Sequence, residues 1–256
     1  MHKFITIVFA VNNDGGKIDE VKGRGRMEDT RGIIEVFKKA ATSYDEWYSK
    51  PIGVYAFRSE LKGLEALLPP SGVGVDVGAG TGIFAKYLST EGRNIVCLDL
   101  SSGMLQVAKK RNLPAILATA EASPIRNRSL DFAYMVTVME FLPNPLKALY
   151  SVGEILKEDA PLVILLINRE SSWGEHYSKL AEEGHPIFGH ARLFTLREVS
   201  SLLKKAGYEV KESVGTLTAS PDEPEEEYKI VPIRRGVGVI IIKAKKVFKI
   251  QIAPSS

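Results

Sequence analysis

Two stretches of the chain hold residues whose types and spacing can do chemistry. The first is Val75-Asp76-Val77-Gly78-Ala79-Gly80-Thr81-Gly82-Ile83, where three alternating glycines follow closely behind an aspartate. Glycine lets a backbone approach a ligand and take up left-handed turns, so this run reads as a cradle for a nucleotide-like group. The second stretch, residues 168–194, holds His176, His185 and His190 together with Arg169, Trp173, Tyr177 and Arg192. That mixture suits a polar and aromatic wall facing a substrate. A metal reading fails on spacing, because these histidines match no standard ligand pattern and no cysteine joins them. His176 and Tyr177 are the candidates for taking a proton from a nucleophile.

These residues need elements to position them. Pro69, Pro70, Ser71 and Gly72 break a preceding helix, and residues 73–77 form a short valine-rich run typical of a buried parallel strand. Residues 83–88 read as helix. A second strand at 94–98 ends in Asp99, where an acid can hold ribose hydroxyls. Ser101 is a natural cap for the next helix, and Lys109, Lys110 and Arg111 crowd its last turn as the helix dipole prefers. Strands are predicted at 115–118, 130–136, 161–167, 209–217 and 237–243. Helices are predicted at 144–157 and at 195–206, where Thr195 and Glu198 form a capping box. This alternation predicts an α/β doubly wound sheet with helices on both faces. Gly78, Asp99, Thr119 and Thr137 all follow strand ends, so they gather on one edge, where such sheets bind ligands.

The glycine spacing separates two kinds of ligand. A dinucleotide fingerprint needs G-x-G-x-x-G, and Ile83 stands where its third glycine belongs, which disfavours a nicotinamide oxidoreductase. Gly78-x-Gly80-x-Gly82 with Asp99 instead resembles motif I and the following acid of the class I S-adenosylmethionine-dependent methyltransferases. Thr119-Ala120-Glu121-Ala122-Ser123-Pro124-Ile125 resembles the family's loop after the third strand, with Thr119 in place of a frequent aspartate. Residues 137–142 lack the Asn/Asp-Pro-Pro-Tyr/Phe tetrad of enzymes that methylate base or glutamine amino groups. Glu140-Phe141-Leu142 resembles the small-molecule branch related to ubiquinone and menaquinone biosynthesis enzymes.

The resemblance, which covers roughly residues 44–243, implies a Rossmann-like, mostly parallel sheet of seven strands with the last antiparallel. It implies S-adenosylmethionine as cofactor and S-adenosylhomocysteine as product. Cofactor contacts are expected at Tyr44, Asp76, Gly78, Ala79, Gly80, Gly82, Asp99, Leu100, Met104, Thr119, Ala120, Glu121 and Thr137. Tyr44 would lid the methionine end, Leu100 and Met104 would wall the adenine, and residues 119–121 would meet its edge. The acceptor would be a small molecule methylated at O, N or C.

Residues 27–243 are expected to form one domain, with a helical lid at 27–68 and a substrate-side insertion at 168–194. Residues 1–26 read as an extension, either an edge strand with a linker or a segment upstream of a start at Met27, and 244–256 as a basic tail. A length of 256 residues buries a sizeable core without staples. The single cysteine, Cys97, reads as a core thiol, and with no membrane-length apolar run the expected compartment is the cytoplasm. A net charge of +3 is too mild to imply nucleic acid by itself. Two alternatives stand beside the small-molecule enzyme. An RNA methyltransferase would use Lys204, Lys205, Arg234, Arg235 and residues 243–249 as its basic surface. A binding protein would keep the fold without turnover.

Overall fold

The computed structural model describes residues 24–225, 227–234 and 236–247, with the backbone alone for 24–30. Most of the expected 1–26 extension, Arg235 and residues 248–249 of the expected basic surface lie outside these bounds. Helix α1 spans Arg24–Ala40, a 3₁₀ segment spans Tyr44–Ser49, and α2 spans Pro51–Leu67. Then follow β1 (Gly72–Val77), α3 (Ile83–Leu88), β2 (Arg93–Asp99), α4 (Ser102–Lys110), β3 (Ala115–Leu117) and β4 (Phe132–Val136). The second half adds α5 (Pro145–Ile155), β5 (Pro161–Ile167), α6 (Ser172–Glu182), α7 (Leu196–Lys205), β6 (Tyr208–Thr216), β7 (Val231–Pro232) and β8 (Val239–Lys246).

The strands form one sheet in the order β3-β2-β1-β4-β5-β8-β6-β7. β1 pairs in parallel with β2 and β4, and β4 with β5, while β8 runs antiparallel between β5 and β6. The sheet thus has eight strands where seven were expected. The additional one is β7, two residues that pair with Val214 and Gly215 at the edge of β6. The strand pattern of β5 explains the two-layered core. Leu162, Ile164 and Leu166 face one cluster with α5 and α7, whereas Val163, Leu165 and Ile167 face the other with α2, α3 and α6. A strand buried on both faces must be apolar throughout, and β5 is.

Three boundaries differ from expectation. α1 starts at Arg24, so the domain begins before residue 27. β8 continues to Lys246, because Lys245 pairs with Pro161, Lys246 with Tyr208, and Ala244 is fully buried between them. The residues read as the start of a basic tail are therefore strand. The expected lid at 27–68 also divides. α1 and the 3₁₀ segment cover the edge of the sheet, but α2 buries Tyr55, Phe57, Leu61, Leu64 and Leu67 and belongs to the core.

The segment 168–194 is pinched at its base. Asn168 and Phe194 bridge in parallel, and the Arg169 N–H donates to the Phe194 carbonyl at 3.0 Å. Ser171 caps α6 through the Gly174 N–H at 3.1 Å, and the indole N–H of buried Trp173 reaches the Ala219 carbonyl at 2.8 Å. These contacts hold α6 over the C-terminal ends of β4 and β5. No helix among the described residues is long and apolar enough to cross a membrane.

Candidate active site

β1 lies between β2 and β4, where the winding of the sheet reverses, and a cleft opens beyond the strand ends there. Its floor is the glycine turn. Gly78, Gly80 and Gly82 all have left-handed backbones, with φ of 74°, 54° and 72°. They serve different needs. A Cβ on Gly78 would meet Val138 at 2.4 Å, and one on Gly82 would meet Leu113 at 2.6 Å, so both are required by packing. A Cβ on Gly80 would meet no protein atom within 4 Å. That is the place where a ligand can approach the backbone.

The turn is tied to the acid of β2. Gly78 and Ala79 donate their N–H groups to the Leu98 carbonyl at 2.7 and 3.0 Å. The Gly80 N–H donates to Asp99 Oδ2 at 2.8 Å and the Ser101 N–H to Oδ1 at 2.7 Å. Burial pushes the Asp99 carboxyl above its ordinary range, and the hydrogen bonds from Ser101 and Gly80, helped by the nearby Leu100 N–H, pull it back. On the far wall, Thr119 donates its hydroxyl to Glu121 Oε2 at 2.9 Å, and the Asn144 N–H donates to Oε1 at 2.9 Å. An aspartate at 119 would face Glu121 with like charge, so threonine here fixes the Glu121 carboxylate in the cleft wall.

Of the residues expected to touch the cofactor, Tyr44, Gly78, Gly80, Asp99, Leu100, Met104, Thr119, Ala120, Glu121 and Thr137 line this cleft. Asp76, Ala79 and Gly82 do not. Asp76 is 2% exposed inside β1, and burial first, then the nearby Asp99, raises its carboxyl to about 8. The Tyr134 hydroxyl lies close enough to offset part of that rise but makes no hydrogen bond of good geometry. Burial thus favours the protonated form of Asp76 in this ligand-free cleft.

A second chamber of about 340 Å³ adjoins the first cleft, and Tyr44, Thr137 and Phe141 line both. Thr137 follows β4 in a left-handed backbone, φ 49°, held by its N–H to the Leu165 carbonyl at 2.9 Å. The chamber walls are Trp47 and Tyr48 from the 3₁₀ segment, Trp173, His176 and Tyr177 from α6, and Phe188 beyond it. Tyr177 stacks on Phe188 at 4.2 Å between ring centres and is 8% exposed. Burial pushes the Tyr177 phenol far up, with Glu60 and Tyr44 adding to the rise, so it stays protonated. His176 is half-buried at the wall. His185 is turned to another task, its Nδ1 accepting the N–H groups of Ile187 and Phe188 at 3.3 Å each. Among the described residues no cluster of His, Cys, Asp and Glu could hold a metal ion.

Reading by motif missed Glu60, which sits on the buried face of α2 and lines the second chamber at 7% exposure. Its signal was available: Ala56, Glu60 and Leu64 follow each other at helical spacing, which puts an acid on an apolar stripe.

Comparison with known proteins decides what this pair of cavities belongs to. Residues 48–213, well over half of the chain, match the family described as a methyltransferase domain. A crystal structure from Thermotoga maritima of a SAM-dependent methyltransferase, described as a possible histamine N-methyltransferase, is 32% identical. It covers 84% of this chain and 100% of that one, with a TM-score of 0.77. The chain belongs to the S-adenosylmethionine-dependent methyltransferases. An uncharacterised protein of Methanocaldococcus jannaschii is 29% identical to this methyltransferase over 217 residues, 84% of this chain and 100% of that protein. A demethylmenaquinone methyltransferase of Renibacterium salmoninarum is 31% identical over 120 residues, 46% of this chain and 44% of that protein.

Proposed function

We propose that this methyltransferase moves the sulfonium methyl of S-adenosylmethionine onto a small-molecule acceptor seated in the second chamber. The observation that carries the reading is the junction of the two cavities at Tyr44, Thr137 and Phe141. A donor in one cavity and an acceptor in the other would meet there. The chamber volume suits a small organic molecule. The relatives described as demethylmenaquinone and possible histamine N-methyltransferases support the same class of acceptor.

The residues of the first cleft fit the cofactor. Gly80 leaves open space for close approach, and Asp99 offers its remaining lone pairs to ribose hydroxyls. Leu100 and Met104 supply apolar walls for an adenine ring, with Thr119, Ala120 and Glu121 along its edge. When bound, the cofactor supplies an already activated methyl group, so the protein's part is alignment. Tyr44, Phe141 and the aromatic wall keep water from the junction. A protonated acceptor atom must lose its proton, and His176 is the base within the chamber, while Tyr177 remains a hydrogen-bond donor.

The test uses methyl-labelled cofactor with two acceptor pools, a small-metabolite extract and transfer RNA. Label in a small product, with S-adenosylhomocysteine formed in equal amount, is the expected result; label in RNA alone, or none, sinks the reading. His176→Ala is expected to lower turnover by about 10²-fold or more. Unchanged turnover in both His176→Ala and Tyr177→Phe would remove the proton-transfer role.

A further inference from the structure

Among the described residues, one acidic side chain lines the chamber and none of them pairs with it, and this inference rests on the reading that the chamber seats the acceptor. We propose that the acceptor is an organic amine whose ammonium group is held by Glu60 inside the aromatic wall, making Glu60 the residue that sets acceptor specificity.

Three observations carry this. Among the described residues, Glu60 is the only carboxylate lining the chamber, and no lysine or arginine lines it. Among the described residues, none hydrogen-bonds or ion-pairs with the Glu60 carboxyl, although it is 7% exposed. Buried acids are ordinarily paired, so the missing partner is one that arrives from outside. The surrounding surface is also of the right kind. Tyr44, Trp47, Tyr48, Trp173, Tyr177 and Phe188 offer aromatic rings to a cation and few competing charges.

The local electrostatics favour a cation and disfavour an anion. Glu140 bears on Glu60 from the 3₁₀ turn after β4, and its Oε2 is itself buried with no partner among the described residues. Tyr44 and Tyr48 from the first 3₁₀ segment and Tyr177 from α6 feel the Glu60 charge, and His176 and His185 face the same space. Burial first, and Glu140 second, raise the Glu60 carboxyl to about 8. In the empty chamber at neutral pH it therefore keeps its proton. An entering ammonium group would favour the carboxylate and expel that proton to solvent. A carboxyl with only a packing role would bind an amine and a neutral isostere alike and release nothing.

The experiment is calorimetric titration of the protein, loaded with S-adenosylhomocysteine, at neutral pH in phosphate and in Tris. The probes are phenethylamine, tyramine and histamine, against the neutral isostere 2-phenylethanol. At least one amine is expected to bind tenfold or more tightly than the alcohol, with a buffer-dependent heat showing up to one proton released per amine bound. Glu60→Gln is expected to lose at least tenfold in amine affinity together with the buffer dependence. Its affinity for S-adenosylhomocysteine should stay within twofold, which shows that the chain is folded. If the variant does not fold, the amine-against-alcohol comparison on the wild-type protein decides alone. No amine binding better than the alcohol, or amine binding that Glu60→Gln leaves unchanged, overturns the proposal. Methyl transfer to a neutral small molecule without preference for amines would refute this inference and spare the chamber's role; transfer to RNA alone would refute both.

Discussion

Asp99 accepts two backbone hydrogen bonds, from Gly80 and Ser101, and in doing so fixes both its own oxygens and the glycine turn. A carboxylate has about four lone-pair sites, so two remain for ribose hydroxyls. Asparagine at this position keeps the shape but turns one acceptor into a donor, which then faces a backbone N–H. Hydrogen bonds to a charged group contribute about 1.5–3 kcal/mol each. Asp99→Asn is therefore expected to weaken S-adenosylhomocysteine binding at least tenfold by calorimetry, with exposed Ser102→Ala as the unchanged control. Equal binding would show that Asp99 does not hold the ribose. At this scale the sequence was readable where function is local in the chain. Gly78, Gly80 and Gly82 stand within five residues, and together with their flanking strand and helix and Asp99 at the end of the next strand they carried the resemblance that names the cofactor. Asp76 lies in the same motif but is buried rather than lining the cleft, because type and spacing do not say how far a strand side chain reaches the surface. Glu60 was missed for the converse reason, since it belongs to no motif and only the apolar stripe around it marks it.

The elements over the first cleft are joined by contacts that cross long stretches of chain. Arg111, just past the end of α4, pairs with Asp45 of the first 3₁₀ segment and also donates to the Thr81 carbonyl. The Thr81 hydroxyl donates to the other oxygen of Asp45 at 2.7 Å. Lid, glycine turn and α4 thus share one latch. The pair is about four-fifths buried, so it is less screened than a surface ion pair. Arg111→Ala leaves Asp45 partly buried without its cation, at a cost of about 1–2 kcal/mol. That cost falls on the closed lid to the extent that the latch holds it, so S-adenosylhomocysteine should dissociate faster, by up to roughly 5- to 30-fold in stopped-flow measurements, the whole of that energy converted. Exposed Lys109→Ala should leave the rate unchanged, and an unaltered rate in both variants would mean the latch does not close the site. The sequence showed Arg111 only as one of three basic residues suited to a helix C-terminus. Its partner lies 66 residues away, a distance over which neither periodicity nor spacing carries information. β8 was half hidden for a related reason. Its last turn of sequence alternates Lys243, Ala244, Lys245, and the charges mask a strand whose small inward residue packs fully.

Across the whole molecule, a doubly wound sheet was legible from the alternation of strands and helices, and the two cores on its faces follow from it. What that alternation does not reveal is that the sheet and its flanking layer enclose three acids. Asp76 is raised to about 8, Glu60 to about 8 and Glu140 to about 7, each chiefly by burial. Their effect on stability has a definite sign. Each folded-state value lies above the ordinary carboxylate range, so the folded chain binds more protons than the unfolded chain across the interval between the two. The contribution is fully present below about pH 4, where both states are protonated. It declines as pH rises and is lost once the folded groups ionise, near pH 7–8. Each group can give a slope of up to about 1.4 kcal/mol per pH unit within its window. Asp131 and Glu198 are lowered instead, by Lys157 and by the Thr195 cap, so they act in the opposite sense and below the usual carboxylate range. The ligand-free protein is therefore expected to lose thermal stability steadily from pH 5 to pH 8 and to level off above that. Asp76→Asn fixes one group in its neutral form and should flatten the fall, with the variant gaining on the wild type as pH rises. A melting temperature that stays level over this interval, or an Asp76→Asn profile parallel to the wild type, would show that these carboxyls ionise inside the folded molecule as freely as in water.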